Sequence, residues 1–585
     1  MAPLTVNIKH SGKTHSVELD PELPPKAFKE NVYQVTGVPL DRMKVMVKGG
    51  VLKDDTNWAK IAPKAGQTFM VIGTAGELPK APEKPVVFLE DMDDEELAGA
   101  LEAPVGLQNM GNTCYMNATI QALRAIPELQ VSLGVPQQGQ ASTSSAPAPA
   151  VNGLPASLRD LYANMARTTD SINPSSFLNA LRQVNPQFAE RDRSAKGGGM
   201  MAMMGGGYAQ QDAEECYSQV LNSLREVDVT EALIPPGTTP VSGGRRKFIE
   251  QFLMGEIRRE LSSAEAPDEP PTVSTEKIMK IECNITGQTN YMHSGILGAL
   301  NSTLEKHSPT LNRTAEYTQT SRVTRLPSYL TVHMVRFAWK ADVGKKAKIM
   351  RKVKFPEVYD ALDTVTPELK QKLLPTSRRL QEIEKERAER RKVRKRTKAS
   401  QEAAKTTAAP TDGSTDATTP GDASAAPVDA NQGGALEDES VYRERERAEL
   451  EALSDPSVRN DIGASWSGLY ELVAIVTHKG AAADSGHYIG YVKKNVFQRP
   501  PPKLYNASGA EATPSATNPD PNAMDTDEPA PAQKKQDPFA YEDDEDWYKF
   551  DDDKVSVFPK EKLGTLDGGG EDSSAYVLLY KSKSA

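Results

Sequence analysis

Three cysteines in 585 residues are too few for a disulfide framework, and no two of them stand as Cys-x-x-Cys. That spacing is the usual start of a structural zinc site, so no metal and no cofactor is expected. Long apolar runs are missing too. Nothing approaches the roughly 20 residues needed to cross a bilayer, and the opening "MAPLTVNIKH" lacks the apolar centre of a signal peptide. Nor is there a surplus of positive charge: 70 Lys and Arg against 80 Asp and Glu give −10, which argues against general nucleic-acid binding. The expectation is a soluble protein of a reducing compartment, cytoplasmic and nuclear, with no membrane and no nucleic acid among its partners.

The length suggests several domains. In residues 1–74, "LTVNIKH", "THSVELD", "MKVMVKG" and "TFMVIG" alternate as strands do, and "SGK" is a hairpin turn. "PPKAFKENVYQVTG" reads as a helix, with Phe28, Val32 and Val35 at helical spacing and Gly37 as its stop. The order strand, strand, helix, strand, strand is that of a β-grasp unit. Met46, Met70 and Ile72 are the candidates for its exposed docking face.

Residues 75–104 read as a linker with a short acidic helix, and residues 105–585 as one large domain. Four inserts, about 134–153, 196–207, 400–440 and 499–546, have compositions that cannot build a core. The run "RRLQEIEKERAERRKVRKRTK" reads as a solvated helix; the basic stretch 390–398 is alternatively a localisation signal or a site for an acidic partner.

Within "GLQNMGNTCYMNATIQALRAI", Met116, Ile120 and Leu123 recur on one helical face, and Asn112 or Thr113 can cap the helix start. Cys114 then falls in the first turn, where free amides and the helix dipole favour negative charge. That is where a thiol is most easily made a nucleophile. Cys216 and Cys283 read as small buried groups. A nucleophilic thiol needs a base. His487, in "DSGHYIGYVKK", and His478, in "AIVTHKG", are rivals that spacing does not separate. The acids of "WYKFDDDKVSVF" could orient the ring.

Together "GLQNMGNTCYMNATIQAL", "QQDAEE", "LPSYLTVHMVRF", "SGHYIGYVKK", "WYKFDDDKV" and "AYVLLY" resemble the ubiquitin-specific protease family of deubiquitinases. The β-grasp unit resembles ubiquitin-like domains, but its end, "IGTAGEL", lacks a terminal diglycine. With "EKPVVFLEDM" it looks like the proteasome-associated branch of the family. The resemblance implies an α+β architecture: a ubiquitin-like domain, then a papain-like catalytic domain with helical thumb, β-rich palm and strand-built fingers. It implies Cys114 as nucleophile, His487 as base and then acid, Asp551 as the ring's orienter with Asp552 as partial substitute, and Asn109 as oxyanion donor. Asp212 and Tyr488 would line the channel for ubiquitin's tail.

The implied partners are ubiquitin, ubiquitinated proteins and, through residues 1–74, the proteasome's regulatory particle. The resemblance further implies that loops 338–348 and 479–486 obstruct the tail until the proteasome binds. Only Cys283 stands where relatives often carry zinc-binding finger pairs, so the fingers should be held by strand pairing. The alternative function is a non-catalytic ubiquitin-binding regulator of the proteasome, which Cys114→Ala would leave working.

Overall fold

The computed structural model describes residues 3–40, 42–48, 50–54, 56–73, 97, 104–135, 151–191, 207–234, 246–340, 345–407, 436–481, 485–498 and 544–583. It divides into two units, Met1–Met92 and Asp93–Ala585. The acidic linker helix and most of each low-complexity insert lie outside the described residues.

In the first unit, β1 (Leu4–His10) and β2 (Lys13–Leu19) pair across a turn whose Ser11 and Gly12 both have positive φ, 46° and 82°. Such turns match the twist of the flanking strands. Helix α1 (Pro25–Thr36) opens on proline and stops at Gly37, which is left-handed. Strands β3 (Lys44–Val47), β4 (Gly50–Val51) and β5 (Thr68–Ile72) follow, with one helical turn, α2 (Trp58–Ile61), before β5. The sheet order is β2-β1-β5-β3-β4, and β1 and β5 run parallel.

Alternation sends Val6, Ile8, Val45, Phe69 and Val71 inward against Phe28 and Val32. It sends Met46, Met70 and Ile72 outward, 38%, 53% and 52% exposed. Met46 faces Met70 across the strands and Val51 on its other side. Val35, read as part of the helix's apolar spacing, is exposed instead.

The second unit has a helical layer: α3 (Cys114–Leu123), α4 (Pro127–Leu133), α5 (Leu154–Met165), α6 (Ser175–Val184), α7 (Ala213–Ser223) and the short α8 (Phe248–Phe252). This layer shares one core with the large sheet. The sheet comprises β8 (Ile281–Asn284), β11 (Tyr329–Val335), β14 (Val358–Asp360), β15 (Leu469–Lys479), β16 (His487–Lys493), β17 (Trp547–Asp551), β18 (Lys554–Phe558) and β19 (Ser574–Ser582). Its order is β18-β17-β16-β15-β19-β11-β8, with β14 also on β15. All ten residues of α3 are buried, so this helix is covered on every side rather than on one face.

A second sheet, β7-β6-β10-β9, is built from β6 (Gly255–Ser262), β7 (Thr272–Ile278), β9 (Asn301–Ser308) and β10 (Arg313–Arg325). Helix α9 (Met292–Leu300) leads into β9. The β6–β7 loop is tied to the β9–β10 hairpin by two carboxylates. Glu269 accepts from Ser308 Oγ, from Thr310 N–H (3.1 Å) and from Tyr317 O–H (2.5 Å). Glu265 accepts from Arg313 (2.6 Å) and from Glu316 N–H (2.9 Å). The bonds from Ser308 and then Tyr317 hold Glu269 down at about 2. Cys283 is not a finger residue. It lies in β8, paired with β11 in the large sheet, and a Cβ added to Gly295 of α9 would come 2.4 Å from its sulfur. Burial pushes its thiol up to about 12.

The basic run is helical and solvated along one side, with Lys392, Lys395 and Arg396 exposed, but its other side is not free. It belongs to α10 (Pro367–Thr407), which packs beside α11 (Glu439–Leu453). Leu380 and Ile383 meet Leu450 and Leu469. Beyond them the seam is ionic. Arg387 pairs with Glu446 (2.6 Å), Arg390 with Glu446 (2.5 Å) and Glu439 (3.1 Å), and Arg394 with Glu439 (2.9 Å). For Arg387, Arg390 and Arg394 the acidic partners are thus supplied by the same chain. Residues 400–407 and 439–440, read as part of an insert, are helical.

Candidate active site

Cys114 is the first residue of α3, and its side chain is covered. The loop before it is wound tightly: Gly111 and Asn112 both have positive φ, 93° and 55°. Neither Asn112 nor Thr113 caps α3 with its side chain. Thr113 Oγ1 accepts from Met110 N–H (2.9 Å), and Asn112 donates to the Tyr208 carbonyl (2.9 Å). The amides at the helix start are therefore left free of a side-chain acceptor, beside the sulfur.

β15 and β16 place the two histidines differently. Lys479 opposes His487, and His478 opposes Tyr488. His487 is about one-third exposed; its Nε2 lies 2.6 Å from Asp551 Oδ1. That leaves Nδ1 for the thiol. The Cys114 thiol is the largest influence that raises His487. Partial burial opposes it, Asp551 adds to it, and the ring is pushed up to about 9. Burial works against the charge on Asp551, but Lys549 (2.9 Å) and His487 outweigh it and hold the carboxyl below its usual range. A thiol, an imidazole and a carboxylate thus stand in line, from sequence positions as far apart as 114 and 551.

His478 is fully buried, and burial drives it down to about 4. It is a neutral ring facing away from the thiol chemistry, which resolves the rivalry left open by spacing. The adjacent acids also separate. Asp551 holds the ring. Asp552, at φ 54°, turns the other way and accepts from Asn109 (2.8 Å) and Asn117 (2.8 Å). Sequence adjacency gave no sign of this division. Asn109 Oδ1 accepts from the N–H groups of Gly111 (2.9 Å) and Thr113 (3.2 Å), so its NH₂ faces Asp552 and keeps one further N–H.

Asp212 is half-buried and Tyr488 is buried. Asp212 caps α7 through Glu214 N–H (2.7 Å) and accepts from Tyr576 O–H (2.6 Å). Burial is the main cause that lifts its carboxyl above the usual range. Tyr488 is 1% exposed, packed on His478 and Tyr576. Tyr576 and Asn117 are the polar neighbours that sequence reading missed, since each lies inside an apolar-looking run. Of the two loops near the cleft, residues 341–344 and 482–484 lie outside the described residues. Strands β12 (Phe337–Lys340) and β13 (Lys345–Lys348) pair with each other.

A thiol at a helix start, facing a carboxylate-held imidazole across a helix–sheet cleft, defines a papain-like cysteine hydrolase. The profile of the ubiquitin carboxyl-terminal hydrolase family matches residues 105–580, and that of the ubiquitin family matches residues 5–75. Ubiquitin carboxyl-terminal hydrolase 6 of Schizosaccharomyces pombe is 35% identical, covering 99% of each chain. Ubiquitin carboxyl-terminal hydrolase 6 of Arabidopsis thaliana is 32% identical over 99% of each. Ubiquitin carboxyl-terminal hydrolase 14 of Caenorhabditis elegans is 26% identical, over 99% of this chain and 93% of its own. The chain belongs to the ubiquitin-specific protease family of ubiquitin carboxyl-terminal hydrolases, with an N-terminal ubiquitin-like domain, and is a cysteine-type deubiquitinase. Ubiquitin and ubiquitinated proteins are its partners.

Proposed function

We propose that this deubiquitinase works at the proteasome, cytoplasmic and nuclear, trimming ubiquitin from substrates held there. The Cys114 thiolate adds to the carbonyl carbon after ubiquitin's last glycine. The oxyanion that forms takes hydrogen bonds from the free N–H of Asn109 and from the Cys114 backbone N–H. His487 gives its proton to the leaving amine, and a thioester remains. Water then attacks the thioester while His487 takes back a proton, and the free thiol and ubiquitin's carboxylate result. Asp551 keeps the ring turned to the sulfur throughout.

The observation that carries the chemistry is the 2.6 Å pairing of His487 with Asp551, beside a Cys114 thiol near enough to raise the ring. What supports proteasome docking is the exposed apolar face of the ubiquitin-like unit, Met46, Met70 and Ile72, on a sheet whose other face is fully used by its core. Residues 338–348 and 479–486 hold the free enzyme weak, and docking shifts that balance. Buried Tyr488 favours this: among the described residues that ring is covered. Hydrolysis of a ubiquitin–fluorophore conjugate, with and without proteasome, tests it. The expected result is a rise in turnover with proteasome that Met70→Asp abolishes. Equal turnover in both conditions contradicts it.

A further inference from the structure

His478 takes no part in the thiol chemistry, yet it is a histidine in a place that fits an apolar ring. Its side chain is fully buried. Phe337 and Tyr488 meet it edge to face, at 5.2 and 4.8 Å between ring centres. One nitrogen, Nε2, lies 3.2 Å from the carbonyl of Ser485. The other, Nδ1, is buried with no hydrogen-bond partner. Only an N–H can pair with a carbonyl, so the proton sits on Nε2 and Nδ1 is bare. A phenylalanine of the same shape would avoid burying that bare nitrogen. The residue is therefore explained by its one donated bond.

That bond lands on the turn that delivers His487. Ser485 and Gly486 immediately precede the catalytic ring, and Gly486 has φ 123°. A Cβ there would lie 2.3 Å from the Lys479 carbonyl and 2.7 Å from His478 Nε2, so the turn is pressed onto the imidazole. The backbone of His478 is fixed in turn. Lys348, 5% exposed, donates from Nζ to the His478 carbonyl (2.8 Å) and to that of Asp572 (3.4 Å). Its N–H donates to the Ala481 carbonyl (3.1 Å), and Gly480 N–H to that of Glu571 (2.8 Å). Both roots of the 479–486 loop are thus bound to one buried platform.

The geometry points to His478 as a positioning residue for the hydrolysis: its Nε2–H, held on the Ser485 carbonyl, sets the backbone that aims His487 at Cys114. This rests on the deubiquitinase reading. Burial first, then the charge of Lys348, keeps the His478 ring neutral, so the pin is not lost when His487 changes charge.

The test compares His478→Phe, which keeps the ring and loses the donor, with His478→Gln, which keeps an N–H. With a ubiquitin–fluorophore conjugate and full-length enzyme, His478→Phe should lower kcat at least about tenfold with KM within about twofold. His478→Gln should recover at least about a third of the wild-type kcat. Alkylation of Cys114 by iodoacetamide at pH 6 should slow in the same order, independently of any ubiquitin substrate. If His478→Phe keeps kcat within about twofold, or His478→Gln is as slow as His478→Phe, the assignment fails. Should His478→Phe not fold, ring ¹⁵N shifts of the wild type decide: a neutral Nε2–H tautomer at pH 7 supports the pin, and a charged or Nδ1–H ring overturns it. Wild-type enzyme that does not cleave the conjugate even with proteasome present would instead count against the functional reading.

Discussion

The α10–α11 seam and the catalytic cleft both hold acids against bases below the surface, and they differ in what the base can do. In the seam the bases are Arg387, Arg390 and Arg394, which do not release a proton in any ordinary condition. Burying such pairs costs much of what their attraction returns, so they fix register more than they stabilise. In the cleft the base is His487, half-covered and facing a thiol. There the proton has two homes, and the same attraction becomes chemistry. Charge pairs become reactive where one partner can titrate and a nucleophile shares its proton.

That contrast can be broken or sharpened by substitution, beginning with the largest effect. Asn109→Ala removes an oxyanion donor and should cost about 10²–10³ in kcat with little change in KM. Asp552→Asn should cost less, about tenfold, because it loosens Asn109 without removing its donor, and the double variant should be little slower than Asn109→Ala alone. Steady-state kinetics on the three variants checks both statements.

The pH profile follows from the cleft's charges. His487 is raised above its ordinary 6.5, so its pairing is fully present below that value and fades as pH rises through about 9. Asp551 is lowered from 3.8, so its share is present above that value and is lost only as pH falls through a still lower one. Activity should therefore fall off on the alkaline side near pH 9, and Asp551→Asn should move that limb to lower pH. An unmoved limb would detach Asp551 from the ring.

The seam should respond in the opposite way. Glu446→Gln leaves Arg387 and Arg390 short of a partner, at a local cost of up to about 3–5 kcal/mol. Proteolysis at α10 should quicken while hydrolysis of a ubiquitin–fluorophore conjugate stays within about twofold. Replacing Arg387, Arg390, Glu439 and Glu446 together by apolar residues of similar volume should restore resistance. The smallest effect is expected at the half-buried carboxylate beside the β9–β10 hairpin. Glu269→Gln should loosen the β9–β10 tip, seen as faster amide exchange at Thr310, with kcat unchanged.

How far the sequence alone reached depended on whether a signal was local. Alternation and Gly37 were enough for the β-grasp unit, whereas the two residues of β4 and the single turn α2 are too short to carry a period. The stretch around Cys114 was long and specific, but nothing in "DDD" says that Asp551 and Asp552 face opposite ways. That depends on the positive φ of Asp552. The ionic seam was illegible for a related reason: its acids lie some 50 residues beyond its arginines, and a charged helix looks solvated until its partner is in place. The burial of Tyr488 was not legible either, because strand alternation tells inside from outside but not which interior a ring enters.

The most direct measurement is capture of the full-length chain by ubiquitin carrying a C-terminal electrophile, read by intact mass and peptide mapping. A single adduct on Cys114, absent in Cys114→Ala and slowed in His487→Ala, is the predicted result. An adduct on Cys216 or Cys283, or unchanged capture without the imidazole, would contradict the assignment of the thiol and its partner.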